Sequence, residues 1–149
     1  MATGKKAGSK KAAAASSTGV TRKVNGGKEK IAVTVDVSNG ESLTYEVSLL
    51  QGSQANFTLV DSSLNKLLLS HKDATVAANQ WSRDWPKPSD SLAVMSVHTL
   101  GMHFILAQKY NYKIIHHELD GTDVVLKDID FSSTNPNDVF FEPLTVVVT

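Results

Sequence analysis

The 149-residue chain contains no cysteine. That absence excludes disulfide frameworks, thiolate zinc sites, thiol nucleophiles and iron–sulfur ligation together. It also fits a reducing compartment. No run approaches the roughly 18 apolar residues that a membrane-spanning helix needs. The longest apolar-rich stretch, Leu92 to Ala107, is interrupted by Ser96, His98, Thr99, Gly101 and His103. Lys5, Lys6, Lys10 and Lys11 could flank a secretory leader, but Ala12–Ala15 is too short and too weakly apolar to be its hydrophobic region. The expectation is a protein of the cytoplasm, or a component of a particle assembled there, with no signal peptide and no membrane insertion.

Catalytic signatures are missing as well. There is no G-x-S-x-G, P-loop, G-x-G-x-x-G or H-E-x-x-H. The expectation is a protein that is not an enzyme and carries no cofactor. An excess of one charge is also missing, since 15 Lys and Arg balance 15 Asp and Glu. That balance is a cancellation. Residues 1–30 hold eight basic groups and one acid, net +7, whereas residues 31–149 hold seven basic groups and fourteen acids, net −7.

Residues 1–28 are almost entirely Ala, Gly, Ser, Thr, Lys and Arg. Such a composition cannot offset the entropy of ordering the backbone. They are expected to form a disordered basic tail, with residues 29–149 as one β-rich domain. Apolar content of 41% is ordinary for a globular protein.

The core opens on a period of two. Val33, Val35 and Val37 alternate with polar residues, and after Ser38-Asn39-Gly40 the pattern returns as Leu43, Tyr45, Val47 and Leu49. An antiparallel hairpin is expected. A three-residue loop with Gly40 left-handed would pair Val35 with Leu43 and Val33 with Tyr45, placing the apolar set on one face. Asn56 to Val60 reads as a third strand. Asp61 then looks like an N-cap, and Leu64, Leu67, Leu68 and His71 share a helical face, so a helical segment is expected over about 62–84. Residues 91–107 suit either a strand pair broken at Gly101 or a buried helix. Tyr110 to Phe131 reads as a hairpin turning at Asp120-Gly121, which pairs Tyr110 with Phe131, Tyr112 with Ile129 and Lys113 with Asp128, and sets Glu118 beside Asp123. Val139 to Thr149 gives the last one or two strands, with Pro143 at a bend or edge. The fold class expected is mostly β or α+β: an antiparallel sheet or sandwich of about seven strands with one helical segment.

Three clusters could carry chemistry. His116, Glu118 and Asp123 are weak candidates for a divalent metal, the plainer alternative being a solvated hairpin tip. Trp81, Arg83 and Trp85 could form a platform for a carbohydrate or other ligand, or the two indoles could cap the core. Seven acids between Glu118 and Glu142 face a single Lys127, and Asp128 and Asp130 share a strand face with Asn111 and Lys113. The tail is the strongest feature. Lys5, Lys6, Lys10, Lys11, Arg22 and Lys23 can neutralise phosphates or an acidic partner, without aromatics to read bases. The terminal run Val146-Val147-Val148 would aggregate as an exposed edge, so it lies either centrally in a sheet or under another subunit. The resulting expectation is a structural protein that self-assembles as a homo-oligomer through its β-core, with a basic arm reaching nucleic acid or an acidic neighbour, as in a virion, phage tail or shell. The alternative is a β-rich ligand-binding module.

Overall fold

The computed structural model describes residues 19–26, 32–87, 95–105 and 107–149. The described residues form ten strands and no helix: β1 (Thr21–Val24), β2 (Thr34–Val37), β3 (Ser42–Gln51), β4 (Phe57–Asp61), β5 (Lys66–Ser70), β6 (Gln80–Pro86), β7 (Met95–Phe104), β8 (Gln108–His117), β9 (Asp123–Ser133) and β10 (Asp138–Val148). They build two five-stranded sheets. Sheet A has the order β1-β9-β8-β3-β6 and sheet B the order β2-β10-β7-β4-β5. Every pairing is antiparallel except β2 with β10.

The architecture is sandwich-like because the long strands alternate. In β7 the even positions from Ser96 to Phe104 are buried and the odd ones are not, and β8 behaves likewise from Gln108 to His116. A period of two puts one set of side chains on one face. Leu43, Tyr45, Val47, Tyr112, Ile129 and Phe131 of sheet A, and Leu59, Leu100, Leu144 and Val146 of sheet B, are fully buried.

The expected helix over 62–84 is not formed. Residues 62–65 are a turn, in which Asp61 Oδ1 accepts from the Ser63 and Leu64 amides at 3.0 and 3.4 Å. The cap-like signal of Asp61 is therefore real, but it serves a turn. Asn65 and Asn79 both take positive φ, at 50° and 56°, a conformation that ends regular structure. A pair of residues at i and i+4 shares a face in a strand as well as in a helix, so Trp81 and Trp85 were uninformative on this point. The strand count of about seven is likewise too low.

The first expected hairpin is half right. Glu41 N donates to Ser38 O at 3.0 Å, and Gly40 sits at φ 84°. Its two arms do not pair, however. β2 joins β10 in sheet B, while β3 lies in sheet A between β8 and β6. The turn crosses between sheets, and Val33 is left exposed.

The second hairpin forms, with Tyr110 opposite Phe131, Tyr112 opposite Ile129 and Lys113 opposite Asp128. Its tip differs. Gly121 N donates to Glu118 O, and Glu118 N to Thr122 O, so the loop has one residue more than expected. A bulge between Ile114 and Ile115 absorbs the difference and brings Asp123 opposite His117. Residues 95–104 form one strand unbroken at Gly101. The Phe141 ring lies over that glycine, and a Cβ there would come within 3.0 Å of Phe141 Cε1. The terminal valines are internal, since β10 runs between β2 and β7. Pro143 sits inside β10 opposite Thr99. Thr145 N donates toward β2, to Val33 O. Position 143 faces the same way, beyond the start of β2, where the ladder needs no donor.

Leu100→Ala, in the middle of the core, should cost about 2–5 kcal/mol. Leu50→Ala, on an exposed position of β3, should change stability by less than about 0.5 kcal/mol. Urea denaturation of the two variants checks this, and equal effects would contradict the assignment of inner and outer faces.

Candidate functional site

Alternation turns some polar residues inward and sorts the rest onto two outer faces, and four groupings stand out. The first joins the two sheets. Arg22 of β1 faces inward and makes a fork to Glu142 of β10, Nε to Oε1 at 2.9 Å and Nη2 to Oε2 at 3.0 Å. Lys127 of β9, itself 2% exposed, donates from Nζ to Glu142 Oε2 and to Pro143 O, both at 2.6 Å. Burial opposes the charge on Glu142, but the hydrogen bonds from Arg22 and Lys127 outweigh it and its pKa falls below the ordinary glutamate value. Burial lowers the Lys127 pKa, against the pull of Glu142. The carboxylate therefore bridges two cations and holds the edge strand β1 to the opposite sheet.

The second grouping lies under β6. His98 is fully buried. Its Nδ1 meets the Tyr45 hydroxyl, and its Nε2 lies 3.5 Å from Asp61 Oδ2 and 3.3 Å from Ser96 Oγ. The Trp85 ring stands edge-on to it at 4.9 Å. Burial lowers the His98 pKa. A neutral imidazole satisfies this set, with Nδ1 accepting from Tyr45 and the Nε2 proton facing Ser96 Oγ, the Asp61 carboxylate lying just beyond. The Tyr112 hydroxyl, beside Tyr45, is the only buried side-chain oxygen or nitrogen without a partner among the described residues.

The third is a row of side chains across the outer face of sheet A. Asp123 Oδ1 meets His117 Nδ1 at 2.7 Å, His117 Nε2 meets Thr44 Oγ1 at 2.6 Å, and Thr44 Oγ1 donates to Asp84 Oδ1 at 2.7 Å. The order carboxylate, imidazole, hydroxyl is that of a nucleophile triad. Two features set it apart. The Thr44 proton is committed to Asp84 rather than to the imidazole, and the backbone amides of a sheet interior are used in the ladder instead of an oxyanion hole. The row ties β9, β8, β3 and β6 together in their spatial order.

The expected metal set does not come together. His116 points inward to Glu41 Oε1 at 3.1 Å, while Asp123 points outward to His117. Among the described residues no group of three or more His, Asp or Glu could hold a metal ion. Sequence reasoning missed Glu41, which accepts from Ser38 N and Leu119 N and so links the two loops. Asp128 and Asp130 do share a face with Asn111, whose amide donates to both, at 2.8 and 2.9 Å, as does that of Asn25 at 3.1 and 3.0 Å.

Trp81, Arg83 and Trp85 share the inward side of β6, so they are not an open platform. Trp81 donates from Nε1 to Asp73 O and packs edge-on against Phe57. Arg83 Nε donates to Leu68 O at 2.8 Å. Arg83 and Trp85 nevertheless line a groove of about 470 Å³ between the edges of β5 and β6, together with Asp61, Lys66 and Asp84. Of the expected tail contacts, Arg22 is committed to Glu142 and Lys23 is exposed on β1. Lys5, Lys6, Lys10 and Lys11 lie outside the described residues. Among the described residues no helix is long and apolar enough to cross a membrane.

The fourth grouping is a whole face. The outward residues of β10, β7 and β4 include Val139, Phe141, Pro143, Met95, Val97 and Val60, and not one Asp, Glu, Lys or Arg. The outward residues of sheet A include Lys109, Lys113, Glu46, Asp84, Asp128 and Asp130. The two faces of one sandwich thus have opposite character.

No family model matches the chain, and neither a curated protein nor a solved structure matches it.

Glu142→Ala should cost about 3–5 kcal/mol, because it leaves Lys127 charged and buried. The double variant Lys127→Met with Glu142→Leu should cost less than the single one. Because the folded pKa of Glu142 is depressed, its contribution is complete above the ordinary glutamate range and is lost as the pH falls through the folded value. Glu142→Gln should flatten that acid limb. Thermal melts between about pH 3 and 7 test this, and a double variant as damaged as the single one would contradict the bridge.

Proposed function

We propose that the protein is a non-enzymatic structural component that self-associates through its β-core as a homo-oligomer, with its basic N-terminal arm contacting nucleic acid or the acidic core of a neighbour. A virion, phage-tail or shell-like particle is the setting this organisation suits. The observation that supports the reading best is the difference between the two outer faces. Contiguous exposed apolar surface is costly in an isolated domain and marks a contact surface. Phe141 is 63% exposed, Met95 60% and Val139 43%. The charge division supports the rest. Residues 1–18, ahead of the strand that holds Arg22 and Lys23, carry four lysines and no acid, net +4, and residues 19–149 carry −4, so one copy's arm attracts another copy's core or a polyanion.

Arg22 is committed to Glu142, so on this reading the outside contacts fall to Lys5, Lys6, Lys10 and Lys11. In light scattering the full chain should run at a multiple of its own mass. Deleting residues 1–18 should leave the fold intact, since β1 and Arg22 are retained. That deletion should also reduce the salt dependence of duplex DNA binding by roughly 3–4 in log–log slope, the share of four lysines. A chain that stays monomeric at every concentration and ignores nucleic acid at low salt would sink the proposal.

A second reading has one specific observation in its favour. The groove between β5 and β6 sets the Arg83 guanidinium and the Trp85 indole beside the exposed Leu64 and Leu67. Apolar walls with a few fixed polar groups are what ligand sites share. On this reading the protein is a carbohydrate- or ligand-binding module, with Trp81 as support under the site. Titration with neutral and acidic oligosaccharides should change tryptophan fluorescence, and Arg83→Ala should remove the response. Silence in the parent protein would leave the groove a structural seam.

A further inference from the structure

We propose that the outer face of sheet B is the surface on which a second copy of this chain docks, face to face about a two-fold axis through the middle of β7. The inference rests on the assembly reading and goes beyond it by naming the surface, the partner and the geometry.

Three observations select a second copy. The first is charge. A two-fold contact sets each residue near the axis against its own symmetry mate, so any charge there meets its like. The outward residues of β10, β7 and β4 include no Asp, Glu, Lys or Arg; the one titratable side chain among them, His103, lies at the end of β7 against Asn137 and Asn56, and the outward Asp36 of edge strand β2 stands opposite Val147. The same chain places charged residues on every long strand of sheet A's outer face. The neutrality of sheet B is therefore local, and it belongs to a surface that can meet itself without repulsion.

The second is area. The five strands of sheet B hold 4, 11, 10, 5 and 5 residues. At about 3.4 Å per residue and about 4.8 Å between strands they cover roughly 570 Å². Two copies then bury on the order of 1,100 Å² over the whole face and roughly 850 Å² over the charge-free β10, β7 and β4 alone, values on either side of the roughly 1,000 Å² that divides specific from weak interfaces.

The third is shape. Gly101 has no side chain, and the Phe141 ring fills the space over it, 3.0 Å from where a Cβ would stand. This keeps the largest outward side chain low on the sheet. Around it stand Thr58, Thr99, Val60, Val139 and Pro143, which are small, β-branched or cyclic, with His103 the one larger polar neighbour. A low, β-branched surface suits the packing of one sheet on another at about 10 Å.

Thr99 lies midway along the central strand and opposite both Pro143 and Val60, so in the two-fold contact it meets its own mate. The experiment compares the parent protein with Thr99→Lys, Thr99→Glu, Phe141→Glu and the control Leu50→Glu on the outer face of sheet A. Masses come from light scattering over a range of concentrations, and circular dichroism melts confirm folding. Phe141 is exposed, so its variant tests the face even where a Thr99 variant fails to fold. The expected result is an oligomeric parent and control. Thr99→Lys, Thr99→Glu and Phe141→Glu each weaken association at least tenfold, and an equimolar mixture of Thr99→Lys and Thr99→Glu regains it. An oligomeric parent whose association all three variants leave intact overturns this face while the assembly reading stands. Variants that dissociate without recovery on mixing overturn the two-fold geometry. A strictly monomeric parent overturns both.

Discussion

One shared apolar layer between two sheets organises this protein. Each long strand presents every second residue to that layer, and the strict alternation of β7 and β8 follows from it. The layer is also where a mistake costs most. Among the described residues five acidic, basic or imidazole side chains nonetheless lie inside it: Asp61, His98, His116, Lys127 and Glu142. Each has a partner that answers its charge or its proton. Asp61 receives the turn amides as well as His98, His116 has Glu41, and Lys127 shares Glu142 with Arg22. A buried charge is tolerated only on such terms. Polar pairing inside the layer therefore does what apolar packing alone does not, which is to fix which strand faces which. Glu142 can reach Arg22 and Lys127 only when β10 crosses β1 and β9 in this one arrangement.

The same alternation sets the outer faces, which burial does not constrain. On sheet A they carry cross-strand charge pairs such as Glu46 with Lys113 and Lys113 with Asp128. On the central strands of sheet B they carry mostly valine, threonine, methionine and phenylalanine, with His103 on β7 and Asp36 on the edge strand β2. A strand sequence that is apolar on both faces, as at Val146-Val147-Val148, is then read naturally. Val146 and Val148 serve the core and Val147 serves the exposed face, while β2 and β7 remove the edge hazard on either side.

How much of this is legible in the residues depends on how local each signal is. The Tyr110–Phe131 hairpin could be read down to its pairs because the turn residues and both arms lie within one short segment. Its bulge could not, since the extra loop residue and the compensating irregularity cancel in the hydrophobic pattern. The Ser38-Gly40 turn was legible as a turn, but a hairpin and a crossing between sheets share the same alternation, and the partner of β2 is more than a hundred residues away in β10. The expected helix failed because Leu64, Leu67 and Leu68, with Trp81 and Trp85, satisfy a helical spacing that bulged strands also satisfy. The candidate sites divide in the same way. The Asn111–Asp128–Asp130 face follows from the hairpin register. Glu41 with His116, and Glu142 with Arg22, join residues 75 and 120 positions apart, and no local pattern announces them.

The ion bridge gives the arm a defined root. β1 pairs with β9 so that Thr21 lies opposite Ser132, and Gly19 takes φ 87° beside Asn135 and Asp138. This strand thus begins at the end of the sandwich where β9 turns into β10. Four paired residues at a sheet edge would fray readily on backbone hydrogen bonds alone. Arg22 counters that by reaching through the edge to a carboxylate on the other sheet, and Asn25 closes the far end against Asp128 and Asp130. The tether is held by the core itself and not by the outer surface of sheet B. On the proposed reading, a contact through that face would therefore leave the anchor of β1 undisturbed.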